Sequence, residues 1–561
     1  MERPWLRHYD RGVPYTINYP EVALPWFLKQ ASQRYPLRPC TIYRDQRLSY
    51  AQVEAISTHL ARWLRELGVH RGERIGLALP NSPQFVIAFF AVLKAGGIVV
   101  ALNPAYRERE LAYQIADAGI QTLIGVRALR ETLVSLSEYT PLERWILTDD
   151  EDLRGLEIWS EPPEKGRALL RSEREMALSE LLHAGFEGLP ALPILGPDDV
   201  AVFQYSGGTT GTPKAAIGLH RNLVANTLQF RHWLVGMQEG NEVVLAAIPL
   251  FHVYGMVIAM SVGIALGASL VLIPDARDTD QVIHHIQAYR ATLFPGVPWL
   301  YQAINRHPSV LARAVDLSSV KACISGSAPL LRETKQEFER LTGGKVMEGY
   351  GLSEAPTATH CNPMFGENRI GSIGLPLPDV DCRIVSLEDG ITPCNIGEAG
   401  EMIIRGPQVM AGYYRRPEET AQALQSGWLY TGDIAYMDAE GYFHLVDRKK
   451  DLIKVGGFQV WPREVEEILA AYPGVKEVAV AGIPHPQKGE VVKAWVVPDP
   501  GIRLEVEDLK RWCLGHMIRY KVPEVIEFVQ ALPRTGVGKV LRRELVRMEI
   551  ERARKDEKAG I

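Results

Sequence analysis

The sequence predicts an α/β protein with a large N-terminal domain of two α/β lobes plus a small β unit, followed by an α+β C-terminal domain. Three observations predict it. Short apolar runs alternate with helix-length segments from Tyr50 to Ser325, the pattern of a parallel sheet covered by helices. After Gly371 the alternation gives way to short strands with Gly and Pro turns. Past Asp447 the texture changes again, to a charged run, an acidic helix, two strands and another helix, enough for a separate domain of about a hundred residues.

Taken in order, Val53, Ile56, Leu60, Trp63, Leu64 and Leu67 recur at helical steps, so the chain from Tyr50 is a helix that stops at Gly68. A strand over Arg74 to Leu79 follows. Asn81-Ser82-Pro83 opens a second helix to Ala95, Gly96-Gly97 ends it, and Ile98 to Leu102 returns as an apolar strand. Further strands are expected at Val243 to Ile248, Ala268 to Ile273, Ala291 to Pro295 and Val320 to Ser325. Asp149 to Asp199, rich in charge, Pro and Gly, reads as a long, partly irregular connection between the two lobes. Tyr254 to Pro274 has no charged residue and is about as long as a membrane span. Its glycines divide it instead into a buried helix, Gly255 to Leu266, and the strand Ala268 to Ile273, and no Lys/Arg asymmetry flanks it. Gly400 to Gly406 suggests a strand of the small β unit, and Pro462 to Ala471 is the acidic helix.

At 46% hydrophobic and 23% charged, the chain of 561 residues is that of an ordinary folded protein, which excludes disorder, collagen and a disulfide miniprotein. Lys and Arg number 62 against 67 Asp and Glu, a net charge of −5, so no surface built for nucleic acid is expected. The 6 cysteines form no C-x-x-C pair, which suggests neither a zinc site nor a disulfide framework and fits a reducing compartment. Met1 to Tyr19 lacks the apolar core of a signal peptide, so a cytoplasmic location is expected.

The sharpest local signal is Tyr205-Ser206-Gly207-Gly208-Thr209-Thr210-Gly211-Thr212-Pro213-Lys214, placed after the apolar run Val200 to Phe203. Glycines and hydroxyls let such a loop bring N–H and O–H donors close to an anion, and Lys214 adds positive charge, so a phosphate cradle is inferred. It is not the nucleoside triphosphatase loop, because G-x-x-x-x-G-K-[ST] cannot be drawn and Ala215 follows the lysine.

This loop resembles the phosphate-binding signature of the acyl-adenylate-forming superfamily, which includes acyl-CoA synthetases, luciferases and peptide-synthetase adenylation domains. Further motifs stand in that family's order and approximate spacing: Pro249-Leu250-Phe251-His252, Ser325-Gly326-Ser327-Ala328-Pro329-Leu330, Glu348-Gly349-Tyr350-Gly351-Leu352-Ser353-Glu354, Trp428-Leu429-Tyr430-Thr431-Gly432-Asp433, Asp447-Arg448-Lys449-Lys450-Asp451 and Pro533-Arg534-Thr535-Gly536-Val537-Gly538-Lys539. The resemblance runs to about Leu545 and is greatest to bacterial long-chain fatty-acid CoA ligases. It implies an adenylation domain over residues 1–449 and a mobile C-terminal domain over 450–561 that carries the catalytic lysine. The implied activity converts a long-chain fatty acid, ATP and CoA to acyl-CoA, AMP and pyrophosphate with Mg²⁺. A medium-chain or aryl-acid CoA ligase, or a non-catalytic acyl-adenylate-binding regulator, is the alternative. Oligomeric state and loose membrane contact, as on the inner face where a fatty acid resides, stay open.

What the resemblance implies for single residues follows. Lys539, Glu354 and Lys214 would be catalytic. Ser206, Gly207, Gly208, Thr209, Thr210 and Gly211 would cradle the phosphates, with Glu354 and Ser206 holding Mg²⁺. Glu354, expected in the Gly-Tyr-Gly turn, offers the oxygen ligand that a hard cation prefers. Ser353 stands where the family usually has Thr, keeping a hydroxyl for a phosphate. Ser325 to Pro329, with Gly326, Ser327 and Ala328 among them, and Tyr350 would flank the adenine, and Gly351 would be part of the ATP site. Asp433, expected on a Gly-containing turn, would accept the ribose hydroxyls, and Arg448 would touch ribose or phosphate. His252 and Met256 would line the acyl site, Gly456 and Gly457 the CoA tunnel, and Lys450 would be the hinge.

Overall fold

The computed structural model describes residues 3–153, 173–183, 188–205, 213–455, 458–485, 489–535 and 540–559. Among them run four sheets, each with its own face to bury. The first has seven strands in the order Glu175–Ala177, Arg144–Thr148, Thr122–Val126, Arg74–Ala78, Ile98–Ala101, Val200–Tyr205, Ala215–Leu219, parallel except for the last pair. The second has nine. Its parallel centre is Lys345–Gly351, Ala322–Ser325, Leu293–Gly296, Val243–Ala246, Ser269–Leu272 and Pro39–Tyr43, and antiparallel strands flank it on both sides.

Two helices carry the chain between these sheets. Tyr50–Glu66 leaves the nine-stranded sheet for the seven-stranded one, and His220–Trp233 leads back. The first starts sharply because Ser49 and Gln52 cap each other: Ser49 Oγ accepts from Gln52 N–H, and the Gln52 side chain accepts from Ser49 N–H. Ser82 caps the helix Pro83–Lys94, every residue of which is buried, because it lies where the lobes press together. The two helices pack along their length, and one hydrophobic cluster extends from there into both lobes.

The expected strands and helices are present with ends moved by one or two residues, the ordinary uncertainty of fraying termini. Three expectations change. Asp149 to Asp199 does not connect the lobes: Glu175–Ala177 is an edge strand beside Arg144–Thr148, and the chain re-enters the same sheet at Val200–Tyr205. Three residues are too few to show a period, which hid the strand. The buried helix from Gly255 is a π-helical turn, Gly255–Ser261, followed by the short α-helix Val262–Ala265. A Cβ at Gly255 would come within 2.3 Å of Pro249 O, so the wider turn seats a backbone approach only glycine permits. Finally, Leu375–Pro376 still belongs to the nine-stranded sheet, and the small β unit begins at Asp381.

That unit is an antiparallel sheet of Asp381–Val385, Gly400–Arg405, Trp428–Met437, Leu424–Gln425 and Phe443–Arg448. The C-terminal unit has its own core behind the long hairpin Val475–His485 and Gly489–Pro498, covered by Pro462–Ala470 and Val506–His516. The result is the mixed α/β architecture expected, a large N-terminal part and a small C-terminal one. Among the described residues no helix is long and apolar enough to cross a membrane.

Candidate active site

Among the described residues, the motifs at 325–330 and 348–354 lie where parallel strands of the nine-stranded sheet end, the edge at which α/β folds bind ligands. Strands Ala322–Ser325 and Lys345–Gly351 lie side by side with Ser325 opposite Glu348, so Gly326, Ser327 and Ala328 leave one strand next to Tyr350 and Gly351 on the other. Glu348 fastens that end: its carboxylate accepts N–H groups from Leu330 at 3.3 Å and Gly371 at 3.1 Å. Burial outweighs these bonds, which act the other way, and pushes its pKa up. Tyr254 ties in the segment before the π turn by donating to Ile324 O at 2.6 Å and Gly296 O at 3.1 Å.

Two clusters meet at this edge. In the first, the Tyr350 hydroxyl donates to Asp433 Oδ2, while Arg448 Nε stands 3.0 Å from Asp433 Oδ1. Asp433 and Arg448 are cross-strand partners on Trp428–Met437 and Phe443–Arg448, so the ladder sets the pair. Asp433 is therefore on a strand rather than the turn expected, with a register irregularity just beyond it between Ile434 and Ala435. Burial and then Asp433 push the Tyr350 phenol well above its ordinary range. Asp433 keeps the Arg448 guanidinium firmly protonated, and Glu354 adds to the same negative field.

The second cluster centres on a tyrosine that sequence reasoning passed over. Tyr413 donates its phenol hydrogen to Glu354 Oε1 at 2.8 Å and lies with its ring 5.4 Å from Lys214 Nζ. Glu419 Oε1 is 3.8 Å from the same ammonium. Glu354 is in the turn after the Gly-Tyr-Gly run, not within it, because Gly349, Tyr350 and Gly351 complete the strand. A Cβ at Gly351 would overlap Thr357 O, 1.6 Å away, so this return of the chain requires glycine. Ser353 precedes Glu354 in the turn, half-buried. The signal for Tyr413 was in the sequence only as Gly412-Tyr413-Tyr414 before a charged helix, a pattern that bears no chemistry by itself.

On the acid side, His252 is half-buried, with its Nδ1 accepting Tyr254 N–H at 3.2 Å and its carbonyl accepting Met256 N–H at 2.9 Å. Met256 is 1% and Met260 0% exposed. Lys450 lies exposed in the turn Lys449–Asp451. Ser206, Gly207, Gly208, Thr209, Thr210, Gly211, Gly456, Gly457 and Lys539 lie outside the described residues. The flanks of the first loop are fixed: Tyr205 ends one strand, Ala215 begins its antiparallel neighbour, and the two face each other. A hard cation with its phosphate oxygens fits the donor set, since Glu354 supplies carboxylate oxygen and Lys214 a nearby positive charge.

Residues 28–414 match the AMP-binding enzyme family, and residues 464–539 match the AMP-binding enzyme C-terminal domain. The chain is 39% identical to a long-chain-fatty-acid--CoA ligase of Bacillus subtilis (strain 168) over 98% of its own length and 99% of the relative's. It is 36% identical to a feruloyl-CoA synthase of an Amycolatopsis species, over 89% of this chain and 94% of the relative. Among solved structures, ATP-bound MatB from Rhodopseudomonas palustris superposes with a TM-score of 0.82 at 28% identity, covering 94% of this chain and 99% of that one. With two thirds of its length in one family match, full-length relatives and clusters gathered at one sheet edge, the chain belongs to the AMP-binding enzyme family.

Proposed function

We propose that this enzyme is an ATP-dependent, acyl-adenylate-forming CoA ligase whose acid is a long-chain fatty acid. The observation that carries the reading is the meeting of Asp433 and Arg448 with Glu354 and Lys214 at the edge where Tyr350 and Gly326 leave adjacent strands. One cluster suits ribose hydroxyls and the other a magnesium-bound triphosphate.

In the first step an oxygen of the fatty-acid carboxylate attacks the α-phosphorus of ATP. The bond to the β-phosphate oxygen breaks, and pyrophosphate leaves. In the second, the CoA thiolate attacks the acyl carbonyl, the acyl–phosphate bond breaks, and AMP leaves with its electrons. Mg²⁺, when bound, spreads triphosphate charge. Glu354 and Ser206 would hold it, Asp433 would fix the ribose, and the loop from Ser206 to Gly211 would hold the phosphates. Gly326, Ser327, Ala328, Tyr350 and Gly351 would border the adenine, and Ser353 would contact phosphate. Lys214, Arg448 and Lys539 would oppose negative charge as the phosphorus becomes five-coordinate. The adenylation domain would span residues 1–449 and the mobile domain 450–561, turning about Lys450 to bring Gly456 and Gly457 along the CoA arm.

Support for a long acyl chain comes from the walls beside His252: the turn Gly255–Ser261 is wholly buried, uncharged and carries two methionines, which adapt to a flexible hydrocarbon. An aryl or medium-chain acid is the second reading, favoured by the 36% identity to a feruloyl-CoA synthase. A panel of acids from butyrate to stearate with benzoate and ferulate, scored by CoA-dependent AMP formation, separates them. We place the enzyme in the cytoplasm, where peripheral contact with the inner membrane face would suffice to collect the acid. Preference for ferulate would overturn the acyl assignment, and no AMP with any acid would overturn the ligase.

A further inference from the structure

The backbone segment 410–414 touches both halves of the phosphate-side cluster. Met410 N–H donates to Glu354 O at 2.8 Å, and the Tyr413 hydroxyl donates to the same residue's carboxylate at 2.8 Å. Between them, Ala411 N–H donates to Ile217 O and Ile217 N–H to Gly412 O, each at 2.9 Å, and Tyr414 N–H donates to Ala215 O at 2.9 Å. This segment is thus zipped to the strand that begins one residue after Lys214. Thr420 Oγ1 accepts Tyr413 N–H at 2.9 Å and donates to Arg416 O at 2.7 Å, which leaves the tyrosine little freedom to swing.

From this geometry we propose that Tyr413 is a positioning residue for the metal–triphosphate site, aiming the Glu354 carboxylate with its hydroxyl and seating the Lys214 ammonium on its ring face. The inference rests on the reading of Glu354 as a magnesium ligand. A carboxylate with two equivalent oxygens binds a cation well only if its plane is held, and a bond to Oε1 holds it while directing Oε2 elsewhere. The ring face attracts Lys214 through its quadrupole, while Glu419 opposes from the side. A single side chain therefore sets the spacing between the cation that meets phosphate and the anion that meets the metal.

The test is calorimetric binding of α,β-methylene-ATP, which cannot be adenylated, to the full chain across a Mg²⁺ titration without fatty acid. Tyr413→Phe keeps the ring and removes only the hydroxyl. The Mg²⁺ concentration that half-saturates the gain in nucleotide affinity should rise about 10-fold, the lower end of what loss of a ligand's orienting partner does. Affinity measured without Mg²⁺ should hold. Tyr413→Leu removes the ring too, and its metal-free affinity should fall several-fold as well. Tyr414→Phe, whose ring packs on Phe203, should change neither. If Tyr413→Phe leaves the Mg²⁺ dependence unmoved while Glu354→Gln shifts it, the positioning role is wrong and the metal reading stands. If neither variant shifts it, the metal reading is wrong and the proposal falls with it. A drop in melting temperature with unmoved Mg²⁺ dependence would make Tyr413 merely structural.

Discussion

Asp447 Oδ2 accepts the backbone N–H of Arg463 at 2.7 Å, so the helix Pro462–Ala470 of the C-terminal unit takes its cap from the last strand of the small β unit. Trp461, at the helix's own cap position, makes no side-chain bond there. Arg463 Nη1 reinforces the contact by donating to Leu445 O at 3.0 Å. Arg542 stands 3.9 Å from Asp447, 3.3 Å from Asp451 and 2.6 Å from Glu466. If the small domain turns about Lys450 as proposed, the bonds to Asp447 and Leu445 would have to break, whereas those from Arg542 to Asp451 and Glu466 would lie beyond the pivot and travel with it.

Asp447→Ala should therefore loosen the docking of the two parts. Loss of a helix cap costs about 1 kcal/mol, which raises the undocked population about fivefold. Limited trypsin digestion should cut at Arg448, Lys449 or Lys450 faster by that factor. An unchanged rate would mean that the cap does not hold the parts together.

Met256→Trp should shorten the preferred acyl chain by several carbons at similar activity toward short acids. Met256 is 1% exposed on a π turn whose backbone already meets Pro249 O, so added volume cannot be taken up by moving the wall. An acyl panel checks it. The same chain-length profile as the unaltered enzyme would remove Met256 from the proposed acyl site.

His220 gives a pH prediction. It is 1% exposed and its Nδ1 accepts Leu24 N–H at 3.2 Å, an arrangement that needs the neutral ring. Burial lowers its pKa from 6.5 to about 4, against the opposing charge of Asp199. Because the folded value lies below the unfolded one, its contribution is fully present above pH 6.5 and is lost as pH falls through 4. His360, pushed down by burial to about 3, acts in the same direction. His220→Gln keeps an acceptor for Leu24 and cannot charge, so it should remove roughly 3 kcal/mol of the acid destabilisation at pH 4. Urea midpoints at pH 7 and pH 4 would show it; equal acid sensitivity in both proteins would refute it.

The elements with a strong period were legible in the sequence, because the helices from Tyr50 and Pro83 and the parallel strands each bury a face that the chain must mark with apolar residues. Their cap at Ser49 was overlooked, although Ser49 and Gln52 stand at the capping-box spacing. Glu175–Ala177 was illegible for want of length. The site residues drawn from the motifs, Asp433, Arg448, Glu354, Tyr350 and Lys214, come together in the fold, yet no motif spacing contains the pairing of Tyr413 with Glu354, which are 59 residues apart. Nor does it contain the capping of Arg463 by Asp447. Both arise where separate elements pack against each other, and that packing is set by the whole fold rather than by neighbours in sequence.

The proposed alternation of the small domain makes a crossed prediction. Lys539 stands three residues before Arg542 in the sequence, and Arg542, which opens the helix Arg542–Ala559, is pinned to Glu466 and Asp451. If Lys539 opposes charge at the α-phosphorus, Lys539→Ala should slow acyl-adenylate formation by roughly a thousandfold, as loss of a well-placed transition-state donor does. Thioester formation from supplied acyl-adenylate and CoA should largely persist, because the lysine would by then have been carried off. Lys450→Pro should do the reverse. Proline fixes φ near −65° and restricts Lys449 before it, so the pivot is stiffened while the first state stays reachable. Pyrophosphate release reads the first step, and CoA-dependent AMP release from supplied adenylate reads the second. Two well-folded variants that each lost both steps equally would refute the turn about Lys450, and one fixed arrangement of Asp447, Arg463 and Arg542 would then have to serve both reactions.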